Sequence, residues 1–326
     1  MLHTKSNGEI LKDLDKRVYG HTNAKKALIS LVARSRIRHF QKWVENIDKE
    51  FLIQPHKLLL LGQSGTGKTH MLESLQDMLD FPLIRVDATK LNPTGAGGGL
   101  KEEELRKMIV KKAKDLVELR NGKYYTVEGT IDQMVVFIDE IDKLGNSFDS
   151  SGNWNTHTQA NFLTLFDNKS EFAGVSFVFA GAFTGITNDG LKQTKNTIGF
   201  SKYTDEVAAC EEMDEKIVKA GLIPELVGRL TDIEKLDTFT VDDYYNVLVD
   251  RLIPVKARTL AFFNIFDMDL DEEMLQKMAK SAHKSGQGIR ALQRQLDRHF
   301  AGREFDNEYK FNKAIAPSIP DGLTEE

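Results

Sequence analysis

Two short stretches of this chain place residue types at spacings that suit phosphate chemistry. The first is Gly62-Gln63-Ser64-Gly65-Thr66-Gly67-Lys68-Thr69. A glycine, four residues and then Gly-Lys-Thr let successive backbone N–H groups turn inward around phosphate oxygens, and a following helix adds the positive end of its dipole. In such a loop Lys68 reaches the β- and γ-phosphates and the Thr69 hydroxyl ligates magnesium, so ATP or GTP with Mg2+ is the expected ligand. The second stretch, Val135-Val136-Phe137-Ile138-Asp139-Glu140, is an apolar run closed by two carboxylates. If it forms a strand beside the one that feeds the loop, Asp139 can hold the metal through its water shell and Glu140 can deprotonate the attacking water. Asp142, two residues on, reads only as a sign that the neighbourhood is acidic.

The elements around these stretches favour chemistry over a surface glycine turn. Leu58 to Leu61 precede the loop as a buried strand, and Met71, Leu72, Leu75, Met78 and Leu79 follow at helical spacing. Further strands are expected at Leu83 to Val86, Val135 to Ile138, Val175 to Ala180 and Ile233 to Phe239, with crossovers long enough for a parallel sheet. Upstream, Ala24, Ala27, Leu28, Leu31 and Val32 mark one helix face, while Lys25, Lys26, Arg34, Arg36, Arg38 and Lys42 crowd the others. These cations are expected to form a solvated face, with nucleic-acid contact the alternative. The stretches 92–99 and 145–155 read as glycine-rich and polar loops. After about Thr240 the periodicity is helical throughout, opening on a Thr240/Asp243 capping pair. The expected organisation is an α/β domain over 1–239, a small helical domain over 240–306 and a tail over 307–326.

Composition sets the outer bounds. The 326 residues are 40% hydrophobic and 29% charged, enough for a large or two modest cores. A net charge of −5 gives no bulk attraction to polyanions. The single cysteine, Cys210, excludes an internal disulfide framework. No apolar run approaches a membrane span, and a cytoplasmic location is expected.

Taken together, the motifs resemble the AAA+ ATPases, and within them the ClpX and HslU protein unfoldases. The resemblance runs from about Leu14 to Phe300. It is carried by Val18-Tyr19-Gly20-His21, the phosphate loop, Val86 to Thr89, Phe137 to Lys143, Gly181 to Phe183, the block Gly221 to Leu230, and Gly288-Ile289-Arg290. It implies a phosphate-loop parallel-sheet domain followed by a small all-helical domain, with ATP and magnesium as cofactors. It implies that Val18 and Tyr19 contact adenine and that Arg229 is supplied by one subunit to the γ-phosphate held by its neighbour, which requires a ring, usually a hexamer. An arginine finger puts a planar cation where charge develops during phosphoryl transfer. Arg290 matches a γ-phosphate sensor, although Gly286-Gln287-Gly288 precedes it where the family reads Gly-Ala-Arg. At the end of the fourth strand, Thr184 is the nearest polar sensor candidate.

Several departures bear on what the ring would act upon. Where the unfoldases carry an aromatic pore loop, this chain has Gly95-Ala96-Gly97-Gly98, so Ala96 offers little grip, and Trp154 is the candidate substitute. The segment 166–175 is short where ClpX has a basic entry loop, and no counterpart of ClpX's zinc-binding domain lies within these residues. Ile198-Gly199-Phe200 lies where ClpX docks on a ring-shaped peptidase, which implies a ClpP-like partner. The HslU insertion is reduced to about Arg106 to Gln133, and the end Leu323 to Glu326 is acidic. The resulting expectation is a ring ATPase that unfolds or remodels protein substrates. A nucleic-acid motor or loader, or a regulatory subunit of a host unfoldase ring, are the alternatives.

Overall fold

Leu58, Leu59, Leu60 and Leu61 are all fully buried, because the strand they form has protein on both faces. The computed structural model describes residues 5–91, 102–119, 126–145, 152–167, 170–187, 202–263 and 265–306. The first elements are α1 (Asn7–Arg17), α2 (Thr22–Trp43), β1 (Lys57–Leu61), α3 (Lys68–Leu79) and β2 (Leu83–Asp87). Then come α4 (Glu102–Leu119), α5 (Val127–Asp132), β3 (Val135–Asp139), α6 (Gly152–Phe166), β4 (Ser176–Gly181), α7 (Thr184–Thr187), α8 (Lys202–Lys219), α9 (Pro224–Val227) and β5 (Asp232–Lys235). The five strands form one sheet in the order β2-β3-β4-β1-β5, and every neighbouring pair is parallel.

The two-residue period of the strands divides the core in two. Leu59, Leu61, Val136, Ile138, Phe177 and Phe179 face one cluster, which α4, α6 and α9 cover. Leu58, Leu60, Val135, Phe137, Val178 and Ala180 face the other, closed by α1, α2 and α3. Strands flanked on both faces read as continuous apolar runs, which is why the leucine run is so plain in the sequence.

Three expectations are corrected. β3 does not adjoin β1, because β4 lies between them. β5 ends at Lys235 rather than Phe239. The Leu236 N–H still reaches the Leu61 carbonyl at 2.8 Å, but β1 then turns into the phosphate loop and offers no further partner. Residues 152–155 belong to α6 rather than to a loop.

Of the six cations of α2, Lys26 is exposed as expected, but four turn out to be held by the fold rather than by solvent. Lys25 is fully buried, with its ammonium on the Asp15 carboxylate at 2.7 Å and on the Val18 carbonyl at 2.6 Å. Arg38 is buried and donates to the Ile53 carbonyl at 2.7 Å, Arg36 donates to the Leu79 carbonyl, and Lys42 pairs with buried Asp132 at 2.7 Å. These four find acceptors on other elements of the fold, which a helical projection of the sequence does not reveal.

Chain contacts divide the protein into two units, 1–237 and 238–326. The described part of the second unit is helical: α10 (Val241–Val247), a wider π-type turn over Leu248–Leu252, α11 (Ile253–Ala261), α12 (Glu272–Ser285) and α13 (Ile289–Asp306). Thr240 and Asp243 form the reciprocal capping box at the start of α10, with Thr240 Oγ1 accepting from Asp243 N and the Asp243 carboxylate accepting from Thr240 N. The wider turn precedes Pro254, whose missing N–H would otherwise break the helical bonding. Among the described residues no helix is long and apolar enough to cross a membrane.

Candidate nucleotide site

The loop from Gly62 to Gly67 connects the carboxyl end of β1 to the amino end of α3. Gly65 and Gly67 have φ of 79° and 97°, a region that β-carbons disfavour, so glycine is needed for the chain to turn there. A β-carbon on Gly67 would meet nothing within 4 Å, so the space beside the loop is open. The Thr66 hydroxyl donates to the Gln63 carbonyl at 2.8 Å and braces the turn. Lys68 is buried at the start of α3, its ammonium donating to the Gly62 and Gln63 carbonyls from inside the loop. Ser64 is exposed at the loop's outer edge.

Although β4 separates their strands, the loop and the acidic pair meet. The Thr69 hydroxyl donates to Asp139 Oδ2 at 3.1 Å. The other carboxylate oxygen, Oδ1, accepts the Glu140 backbone N–H at 2.9 Å. Glu140 is exposed and left-handed, with φ of 57°, so its side chain departs from the line of β3. A left-handed non-glycine residue is uncommon and concentrates at functional sites. An alcohol and a carboxylate in contact are hard oxygen donors of the kind magnesium takes, and the rest of its octahedron ordinarily comes from water and phosphate. Among the described residues no cluster of three or more His, Cys, Asp or Glu forms a protein-only metal site, so a cation here would depend on nucleotide oxygens. The residues present therefore fit a magnesium nucleotide.

Arg229 lies at the opposite end of the sheet. β5 runs parallel to β1 with Asp232 level with Leu58, so Arg229, which precedes β5, sits beyond the amino end of β1. Burial, followed by the positive charges of Arg229 and Arg38, holds the Lys57 ammonium below its ordinary range, which places Arg229 beside that same end. Its guanidinium is exposed and is not brought to the phosphate loop of its own chain.

The remaining candidates are spread out. Val18 is buried in the core, so only its backbone could face a ligand, and Tyr19 is half-buried beside it. Arg290 is exposed in the first turn of α13, in the second unit. Thr184 is exposed at the start of α7. Ala96 and Ile198, Gly199 and Phe200 lie outside the described residues, as does the Trp154 side chain.

Sequence reasoning missed two polar groups that frame the site. Asp142 is buried and its Oδ1 accepts the Ala182 N–H at 3.1 Å, tying the segment after Glu140 to the end of β4. Gln159 on α6 is almost wholly buried with its amide satisfied: it donates to the Leu144 and Gly221 carbonyls at 3.2 and 3.0 Å and accepts the Ile223 N–H at 2.7 Å. Asp142 has a weak sequence signal, three residues after Asp139 and so one short helical turn away. Gln159 has none.

The comparisons with known proteins agree with this geometry. Residues 58–193 match the family model described as ATPase family associated with various cellular activities (AAA). The chain is also similar to the ATP-dependent Clp protease ATP-binding subunit ClpX of Treponema denticola, at 27% identity over 321 residues, covering 87% of this chain and 73% of that protein. The two likenesses together support a divergent, ClpX-like AAA+ ATPase, an ATP hydrolase related at the level of its family to the protein-remodelling ATPases.

Proposed function

We propose that this protein works as a homomeric ring, of the hexameric kind, that couples hydrolysis of magnesium-bound ATP to the unfolding or remodelling of protein substrates in the cytoplasm. The observation that carries the reading is the Thr69–Asp139 contact at 3.1 Å with Glu140 exposed beside it. Backbone N–H groups from Gly62 to Gly67 would bind the phosphates, Lys68 would neutralise the β- and γ-oxygens, and Thr69 and Asp139 would hold the metal side. Glu140 takes a proton from the attacking water as the water oxygen bonds to the γ-phosphorus, and the bond to the ADP oxygen breaks with its electron pair.

The position of Arg229 supports the ring. A guanidinium beyond the amino end of β1 cannot serve a loop at the carboxyl end of the same strand, but a neighbour's loop can meet it. Val18, Tyr19 and Arg290 complete the reading as adenine contacts and a γ-phosphate sensor, and Ile198, Gly199 and Phe200 as a dock for a ClpP-like peptidase. The nucleic-acid alternative drew on the cations of α2. Lys25, Arg36, Arg38 and Lys42 all have internal acceptors, so that support is weakened.

The test is capture. Glu140→Gln protein, held with ATP in its native extract, should retain unfolded polypeptides, with or without a peptidase. Retention of nucleic acid alone, with salt-sensitive stimulation of ATP turnover by single strands, would favour the motor reading instead.

A further inference from the structure

His21 is almost completely buried and occupies a left-handed backbone conformation, φ 59°, at the residue before α2. Helices are ordinarily capped there by a side chain that bonds back to the first turn, but the His21 ring makes no such bond. Its two nitrogens reach elsewhere. The Asp237 backbone N–H donates to Nδ1 at 3.0 Å, and Nε2 lies 2.9 Å from the carbonyl oxygen of Thr66 in the phosphate loop.

These partners determine the tautomer. A backbone N–H can only donate, so Nδ1 must be unprotonated; a carbonyl can only accept, so Nε2 must carry the hydrogen. The Asp237 carboxylate in turn accepts the His21 backbone N–H at 2.5 Å. Asp237 is the last residue of the first unit. Lys25, one turn along α2, holds the Val18 carbonyl at 2.6 Å, so the segment from Val18 to His21 is fixed at both ends.

We propose that neutral His21 is a positioning residue for nucleotide binding, locking the phosphate loop at Thr66 to the chain at Asp237 through an Nε2-protonated imidazole. It touches no reacting atom; it sets the conformation in which the loop's N–H groups converge. Protonation would put a hydrogen on Nδ1 against the Asp237 N–H, breaking that bond and drawing the ring toward the Asp237 carboxylate, whose Oδ2 lies 3.6 Å from Nδ1, so the lock would lose its geometry. The charged groups facing the ring are Asp237 after β5, Lys25 of α2 and Lys68 of α3, and burial outweighs the Asp237 charge to hold the imidazole below its ordinary 6.5. Nucleotide affinity should therefore be flat above about pH 6.5 and fall in more acid solution.

The inference rests on nucleotide binding at Gly62 to Thr69, and its test separates the two. A fluorescent ADP analogue is titrated into full-length wild type, His21→Ala and His21→Gln between pH 5 and 8. Glutamine offers one donor and one acceptor in comparable places but does not titrate. His21→Ala should bind about tenfold more weakly at neutral pH, as expected when a buried carbonyl and N–H lose their partner. His21→Gln should stay within about threefold of wild type and lose the acid-side fall.

Nitrogen-15 shifts of the His21 ring should show protonated Nε2 and bare Nδ1. The Nδ1-protonated tautomer would overturn the proposal, as would His21→Gln with the acid fall intact. Both readouts stand even if the alanine variant does not fold. Unaltered binding by Lys68→Ala would instead overturn the nucleotide site.

Discussion

Gly145 and Gly221 meet backbone against backbone: a β-carbon on Gly221 would lie 2.4 Å from the Cα of Gly145, and one on Gly145 would lie 2.4 Å from the Ala220 carbonyl oxygen. Gly221 also has φ of 106°. This contact joins the end of the segment after Glu140 to the turn before α9, which leads into Arg229. Gln159 bridges the same two strands of backbone through Leu144, Gly221 and Ile223. Because the obstructing atoms are backbone, they cannot swing aside. Gly145→Ala should cost about 1–3 kcal/mol of stability or more, read from urea unfolding. Gln159→Leu keeps similar bulk but leaves three polar groups unpaired, at about 1–3 kcal/mol. Stability unchanged in both would mean the junction is looser than this geometry.

Glu140→Gln removes the proton acceptor and keeps the shape. Turnover should fall by at least about a hundredfold, while ATP affinity stays within a few-fold, measured by phosphate release and equilibrium binding. Hydrolysis at the wild-type rate would remove Glu140 from the mechanism.

Arg229 yields a test of action in trans. Arg229→Ala should lower turnover by about a thousandfold or more with nucleotide affinity retained. Mixed with Lys68→Ala subunits, it should regain activity, because the variant's intact loop can then adjoin a neighbour's intact arginine. Absence of any recovery in rings shown to be mixed would argue that the arginine does not cross between subunits.

Glu234 provides a pH-dependent prediction. Burial first, then the Asp232 and Asp237 carboxylates, push its carboxyl from 4.5 up to about 7. The folded chain thus holds a proton that the unfolded chain releases. The group's contribution to stability is complete below 4.5 and lost as pH rises through about 7. Glu234→Gln should therefore stabilise the protein at pH 8 by on the order of 1 kcal/mol, discounted for the half-exposed position, and by little at pH 4.5. Denaturant midpoints at the two pH values check this, and an equal gain at both would refute it.

Much of the site was legible because its chemistry is local. The loop, its leucine strand and its helix are contiguous, and the Asp139–Glu140 pair closes an apolar run. The Thr240/Asp243 cap was equally plain, since a capping box spans three residues. What escaped was pairing at a distance. The cations of α2 read as a solvated face because their acceptors, at Asp15, Ile53, Leu79 and Asp132, lie on other elements. Asp142 is indistinguishable in sequence from surplus acidity, because its partner, the Ala182 N–H, lies 40 residues away.

By itself the order of residues determined the phosphate loop, the alternation of strands and helices, and the acidic strand end, because glycine dihedrals, apolar periodicity and capping act over a few residues. Only the tertiary structure decided that β4 separates β1 from β3, that Thr69 nevertheless reaches Asp139 across 70 residues, and that His21 joins Asp237 across 216. Those contacts depend on how the sheet is ordered and how the helices pack across it, and no local spacing encodes a partner so far along the chain.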